Sequence, residues 1–465
     1  MTAITFLFFL FCFTLIGVAS IRASKQTTDD YLLAGRSVSP LFTALSAVAT
    51  NNSGFMFIGL IGYTYAVGLS SIWIMVGWIA GDYLAWRWIY PHLRRESEMR
   101  DVATVPSYLS HTGDRYGPAV MRIAAVILIV FLGVYAAAQL NAGSKALHTL
   151  FGWQYETGAI IGAVIVLVYS WSGGIRASIW TDVAQSVVMV AAMLLLVISI
   201  VVEVGGVPAA IERLAEIDPS LLTLIPANLK FGFAAFLLSW IAAGIGVTGQ
   251  PHVIIRAMAI RSVTAMSTAR RVYFLWYTLF SALAIAVGLG ARILLDHPET
   301  FDAELALPII STQLLHPILI GLILAGLFAA TMSTADSQVL ACSAAFTQDL
   351  LPERYWKNYI LAKMGTALVT LLTLSIALFG SQNVFGLVVL SWSILASTLG
   401  PLIMLHSLRR PVSGPVSILM MVAGMAAVFL WRAMPGYSDA VYETLPGMAA
   451  GFLVYLISQL NQKKR

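Results

Sequence analysis

Charge is the scarcest property of this sequence. Only 11% of its 465 residues are Asp, Glu, Lys or Arg, against 59% hydrophobic residues and a mean hydropathy of +0.85. Soluble domains carry about 25% charged residues, so a soluble globule is excluded and the chain reads as an integral membrane protein. Cysteine is nearly absent as well: Cys12 and Cys342 both lie in apolar segments, which leaves no disulfide framework and no metal cluster. The alternation of a transmembrane β-barrel is missing, because the apolar runs far exceed the roughly 10-residue strands a barrel uses. A net charge of +5 comes with no basic stripe or tail, which argues against a nucleic-acid partner. No nucleophile and base pair, zinc motif or phosphate loop is present, so the chain is not read as an enzyme.

What is present is a series of apolar runs, each near the roughly 20 residues that cross a bilayer. They fall at 3–22, 39–65, 69–92, 120–145, 156–172, 178–204, 231–258, 270–295, 317–345, 358–380, 384–407, 413–433 and 444–461. This predicts thirteen helices in one transmembrane domain, 1–465. The first run lacks a basic segment before it and is followed by Arg22 and Lys25, so it is expected to be a retained helix and not a signal peptide. With the N-terminus outside and the C-terminus inside, all but five of the 27 Lys and Arg residues fall on the inner side; Lys145, Arg213, Lys230, Arg292 and Arg432 are the exceptions. The positive-inside rule supports both the count and that orientation, in a cell (inner) membrane. Short surface helices are expected around 209–217, from its periodicity, and at Val105–Leu109, with Pro106 near its start.

Two of these runs are interrupted by polar or flexible residues. Thr50-Asn51-Asn52-Ser53-Gly54 lies inside 39–65, and its side chains compete with helical backbone bonds. Ala243 to His252 holds three glycines, Gln250 and Pro251. Each alone is compatible with a kinked helix packed closely on its neighbours. Paired interruptions at corresponding positions instead point to an inverted-repeat transporter whose site lies at the midplane.

Polar groups at membrane depth complete the picture, since each charge there is costly on insertion scales. Asp182 opens the 178–204 run and is followed by Gln185; it either complements a helix dipole or turns into the bundle. Ala330, Ser333, Thr334 and Ser337 share one helical stripe, with Asp336 beside it. Such hydroxyls and carbonyls suit sodium, a hard cation that takes oxygen ligands; they can equally bond back to their own helix. His252 is read as a structural hydrogen-bonding group.

Several motifs then resemble the sodium:solute symporter family, and within it the sodium/proline branch. They are Asp30-Tyr31-Leu32-Leu33-Ala34-Gly35-Arg36, Trp171-Ser172-Gly173-Gly174 through Asp182, Gly249-Gln250-Pro251-His252 with Arg256, and Met332 to Gln338 followed by Ser343 and Asp349-Leu350. The resemblance implies an all-α, LeuT-like core of five plus five helices in inverted repeats, at 39–204 and 231–408. An extra helix at 1–24 would precede it and 412–465 would follow it. It implies sodium held by the carbonyls of Ala49, Asn52 and Ala330 and the hydroxyls of Ser333 and Thr334. A second ion or an exit relay would sit at Asp182 and Ser337. Substrate would lie near Asn51, Ser53, Gly54, Gln250 and Pro251.

Two departures bear on that transfer. Asn51 stands where the proline symporters carry an acid, and Ala243 and Val247 stand where that branch has aromatic residues. The expectation is a sodium-coupled importer of a small organic solute such as proline, working in a lipid bilayer without an obligate protein partner. The rival readings are proton coupling through Asp182, or a transporter-like solute sensor; the latter is disfavoured because no further domain follows Asn461-Gln462-Lys463-Lys464-Arg465.

Overall fold

The computed structural model describes residues 1–227, 229–295, 301–410 and 412–463. Lys464 and Arg465, two of the charges assigned to the inner side, lie outside them. The described chain is helical, and its one β contact is an isolated parallel bridge between Val38 and Ile260. The helices that matter below are α1 (Thr2–Ala19), α2 (Pro40–Gly54), α3 (Leu60–Val67), α4 (Ile72–Leu84), α5 (Gly117–Phe151), α6 (Tyr155–Val204) and α7 (Gly232–Ile245). They are followed by α8 (Pro251–Ala259), α9 (Met266–Leu294), α10 (Pro317–Ala344), α11 (Tyr359–Phe379), α12 (Val384–Thr398), α13 (Gly414–Arg432) and α14 (Thr444–Lys463).

Ten helical stretches among the described residues are long and apolar enough to cross a membrane. Two of them, of 60 and 50 residues, are far longer than a bilayer requires. The first turns at Gly68 (φ 77°), and the second at Gly174 (φ 56°), a conformation that glycine adopts without a Cβ penalty. Both short helices form, at Val207–Ile217 and Val105–Leu109, the latter capped by the Thr104 hydroxyl, which accepts the Ser107 N–H; only the first is a surface helix, because Val105, Pro106, Tyr108 and Leu109 are buried in the fold.

Burial is concentrated on the helices that carry the polar stretches. Every residue of α10 from Ile323 to Ala344 is buried, whereas α13 and α1 turn large apolar side chains outward, as lipid-facing helices do. α4 and α7 approach each other closely. A Cβ on Gly81 would fall 2.0 Å from the Ile241 carbonyl oxygen, and one on Gly244 would fall 2.0 Å from that of Trp78. These two backbones touch with no side chain between them, the close approach that small residues permit in membranes.

On the side where Arg36 and Arg94 lie, the segment before α2 is tied to the end of α8. Val38 donates to the Ala259 carbonyl (3.2 Å) and Arg261 to that of Val38 (2.9 Å). The Arg36 guanidinium donates to the carbonyls of Met258, Ser97 and Val102, and Arg94 to that of Ile260. This network fixes the start of α2 and the end of α8 against each other.

Candidate solute and ion site

The first interruption is narrower than the five residues expected. α2 stays helical through Asn52, and only Ser53 leaves the helical region (φ 47°, ψ 179°). The Asn52 amide donates to the Val48 carbonyl one turn back (2.7 Å), so its side chain supports the helix it was expected to disrupt. Beyond the break the Ser53 hydroxyl accepts the Phe55 N–H (3.1 Å), as a capping residue does. The Gly54 N–H donates to the Gln139 side chain of α5 (2.8 Å), and a Cβ there would fall 2.7 Å from the Thr331 methyl.

In the second interruption α7 ends at Ile245, a tight turn covers Gly246–Gly249, Gln250 is extended, and α8 starts with Pro251 in its first turn. A Cβ on Gly249 would fall 2.4 Å from the Leu395 carbonyl oxygen, so glycine lets the turn lie on α12. The Gln250 amide donates to the Trp392 carbonyl (3.1 Å), and the Trp392 indole donates to that of Ala243 (2.9 Å). An aromatic side chain from α12 therefore packs against the backbone at Ala243, which carries no aromatic group of its own.

α10 closes the site from the other side. The Ser333 hydroxyl donates to the Ala49 carbonyl (3.1 Å) and Thr334 to that of Thr50 (2.9 Å), while both also reach the Ala330 carbonyl. The two readings of this stripe hold together: the hydroxyls bond back to their helix and also face α2. Ala49, Ala330, Ser333 and Thr334 are thus assembled into one oxygen cluster, joined by the Thr50 carbonyl. Asn52 is not tied to it by any hydrogen bond; its carbonyl accepts the Phe55 N–H. Asn51 turns away, donating to the Tyr273 hydroxyl (2.6 Å) and, at 3.4 Å, to Asp82.

Asp182 does not sit at a helix start. It lies two turns beyond the Gly174 bend and is fully buried, so it turns into the bundle instead of complementing a dipole. Its Oδ2 accepts from the Ser46 hydroxyl (2.6 Å), from Thr50 (3.4 Å) and from the Arg256 guanidinium (3.1 Å). Arg256 also donates to Ser46, Ser178, Ser337 and the His252 carbonyl. Asp336 accepts from Ser337 at the same junction (2.9 Å). Arg256 is therefore not one of the inner-surface charges it was counted among, but a buried cation joining α2, α6, α8 and α10. Its place one turn after His252, within an apolar helix, was the signal in the sequence.

Tyr135 and Gln139, one turn apart on α5, were not singled out in the sequence, yet they link the two interruptions. The Tyr135 hydroxyl reaches Ser53 (3.5 Å) and its ring meets His252 edge-on (5.6 Å). Around this junction several buried polar atoms have no protein partner: Gln139 Nε2, Gln250 Oε1 and both ring nitrogens of His252. His252 is thus not the satisfied structural group expected. Towards Arg432 and Glu443, a cavity of about 280 Å³ lined by Tyr63, Trp240, Phe385 and Tyr442 leads to the stacked rings of Trp78 and Trp240, with Trp392 meeting Trp78 edge-on.

Known proteins share this chain's sequence and fold. The high-affinity proline transporter PutP of Bacillus subtilis (strain 168) is 30% identical over 463 residues, covering 96% of each chain. The sodium/proline symporter of Escherichia coli (strain K12) is 30% identical over 473 residues, covering 99% of this chain and 93% of its own. Among solved structures, a Na+-coupled sialic acid symporter in a substrate-bound outward-open state superposes with a TM-score of 0.82 at 18% identity, covering 97% of this chain and 96% of that one. MhsT in complex with L-phenylalanine gives 0.60 at 14% identity, covering 90% and 98%. At those identities the structures speak for the fold. The family model described as "Sodium:solute symporter family" matches residues 31–409, and the chain belongs to that family of transporters.

Proposed function

We propose that the protein is a sodium-coupled importer of a small amino acid, with proline the first candidate, working by alternating access. The observation that carries the solute site is the set of unpartnered polar atoms between the two interruptions. A buried donor or acceptor left unmade costs about 1–3 kcal/mol, so Gln139, Gln250 and His252 favour a polar solute or water in that space. Ser53, Gly54, Gln250 and Pro251 would border it, with the backbone bent open at Ser53 and Gln250, and Asn51 would act from behind the break. Trp78 and Trp392 would supply the apolar wall that Ala243 and Val247 lack. The proline named for the two relatives at 30% identity supports this substrate class.

Sodium would occupy the cluster of Ala49, Asn52, Ala330, Ser333 and Thr334. The two hydroxyls donate to carbonyls of α2; a sodium ion there would take their lone pairs and draw α2 and α10 into the arrangement that binds solute. Coupling is then the difference in affinity between states, shared by both ligands. Asp182 and Ser337 would serve as a joint on the exit path, because the Arg256 guanidinium bonded to both repels a second cation there. We further propose thirteen membrane helices: the 60- and 50-residue stretches each fold into two, and α14 adds one. The five-plus-five repeats would span 39–204 and 231–408, between the extra helix at 1–24 and the closing 412–465, with the N-terminus outside the cell membrane and the C-terminus inside.

The test is thermal stabilisation of the purified protein by amino acids, sugars and carboxylates, in sodium and in potassium at matched ionic strength. Stabilisation by proline in sodium alone is the expected result, since a ligand stabilises the state it binds. A ligand that stabilises equally in both salts overturns sodium coupling.

A further inference from the structure

We propose that Asp82, Asn51 and Tyr273 form a second sodium site, separate from the oxygen cluster between α2 and α10. It goes beyond the symport reading and rests on it only for the identity of the ion. The starting observation is an acid at membrane depth that no described residue balances. Asp82 lies near the end of α4 and is fully buried. Its Oδ2 accepts the Tyr273 hydroxyl (2.6 Å) and, more distantly, the Asn51 amide (3.4 Å), whereas its Oδ1 has no partner. The Asn51 Oδ1, on a side chain that is itself more than nine-tenths buried, is also without a partner.

No described Lys, Arg or His forms an ion pair with Asp82. The surroundings are aromatic and uncharged: the Trp86 ring lies 4.8 Å from Tyr273 and 5.3 Å from Tyr90, and Tyr277 lies 5.7 Å from Tyr273. A carboxylate in such a place must be paired, bind a metal or give up its charge.

The donors decide among these. The Asn51 amide presents its nitrogen to the Asp82 carboxylate and the Tyr273 phenol, and turning that amide over would bring its unpartnered oxygen to them, a hard ligand set with no sulfur or imidazole. One carboxylate balances one positive charge, so a monovalent ion leaves the site neutral while a divalent ion does not. The position is apt for coupling. Asn51 directly follows Thr50, whose carbonyl receives the Thr334 hydroxyl, and lies two residues before the bend at Ser53. An ion held there would tie α2 to α4 and α9, on a different face from the α10 cluster.

The experiment is equilibrium binding of radiolabelled sodium to the purified full-length protein, without solute, in the wild type, Asp82→Asn and Thr334→Ala. The expected counts are two ions per chain in the wild type and one in each variant. One ion in the wild type, lost in Thr334→Ala and kept in Asp82→Asn, overturns the second site and leaves the symport reading standing. No bound ion at all removes both. If Asp82→Asn fails to fold, Tyr273→Phe keeps the ring against Trp86 and removes one oxygen; it is expected to weaken one of the two ions about tenfold, and unchanged affinity overturns the site. Two ions in Asp82→Asn, with a flattened pH dependence of uptake, also overturns it and makes Asp82 a proton carrier.

Discussion

Asp82 and Asp182 are both fully buried carboxylates beside the same broken helix, and they differ in what balances their charge. Asp182 faces Ser46 and Thr50 on one side of α2 and has a guanidinium from α8 as permanent partner. Asp82 faces Asn51 on an adjoining side and has only neutral donors. A permanent counter-charge makes a joint, because nothing needs to enter or leave. A missing counter-charge makes a demand on the surroundings, which in a transporter are the ions it carries. Burial of an acid in a membrane therefore identifies a functional position without identifying its role; the partner does that.

The largest expected effect breaks the balanced side. Arg256→Met leaves the Asp182 charge uncompensated and should destabilise the protein by about 3–5 kcal/mol, read as a fall in thermal midpoint and yield. Adding Asp182→Asn should recover most of that loss, and a single variant as stable as the wild type would show that the pair is not the joint described. Next, Gly244→Ala places a methyl carbon where the Trp78 carbonyl stands 2.0 Å away. Overpacking of this kind costs about 1–3 kcal/mol, and the shift of α4 it forces should weaken sodium binding at Asp82 more than at Thr334.

Smaller still is the effect of Thr334→Ala on stability, about 1 kcal/mol for a lost hydrogen bond. Its sodium requirement for uptake should nonetheless rise about tenfold, and a normal sodium dependence would sink the assignment of the α2–α10 cluster. The smallest effect belongs to a third acid, outside the spans. Burial raises the Asp30 carboxyl, but the Arg176 guanidinium and the Lys25 N–H outweigh it and hold it below the ordinary carboxylate range. A lowered carboxylate stabilises the fold above its unfolded pKa, about 3.9, and that stabilisation is lost as pH falls through the lowered value. The thermal midpoints of wild type and Asp30→Asn should therefore differ by a constant amount from pH 8 to about pH 5 and converge in stronger acid; a gap that closes near neutrality would mean another group is responsible.

The helices themselves were readable from the sequence because long apolar runs leave few alternatives in a bilayer. The bends at Ser53 and Gln250 were readable as regions, from clusters of Gly, Asn, Ser and Pro, but not as residues. Asn52 illustrates why: the same amide that can break a helix stabilised this one by returning to Val48. The α10 hydroxyls were found because helical spacing alone puts Ser333, Thr334 and Ser337 on one face. Arg256 was misread because a count of charges cannot tell a loop end from the last turn of a buried helix. Asp82 was passed over although it is a lone acid in the run from Ile72 to Leu84, and a uniform search for charges inside apolar runs would have found it. Tyr135 and Gln139 had no local signal, since their importance comes from which helices they touch.

The contact of Gly81 and Gly244 has a mechanical consequence. Two backbones held this close leave no room for a side chain between them, so α4 and the first half of the second broken helix would move together as one lever. Asp82 rides on that lever, while Asn51 belongs to the first broken helix. Any rocking of the bundle then stretches or closes the gap between carboxylate and amide, and the ion that bridges them becomes the pin that sets how far the lever can swing.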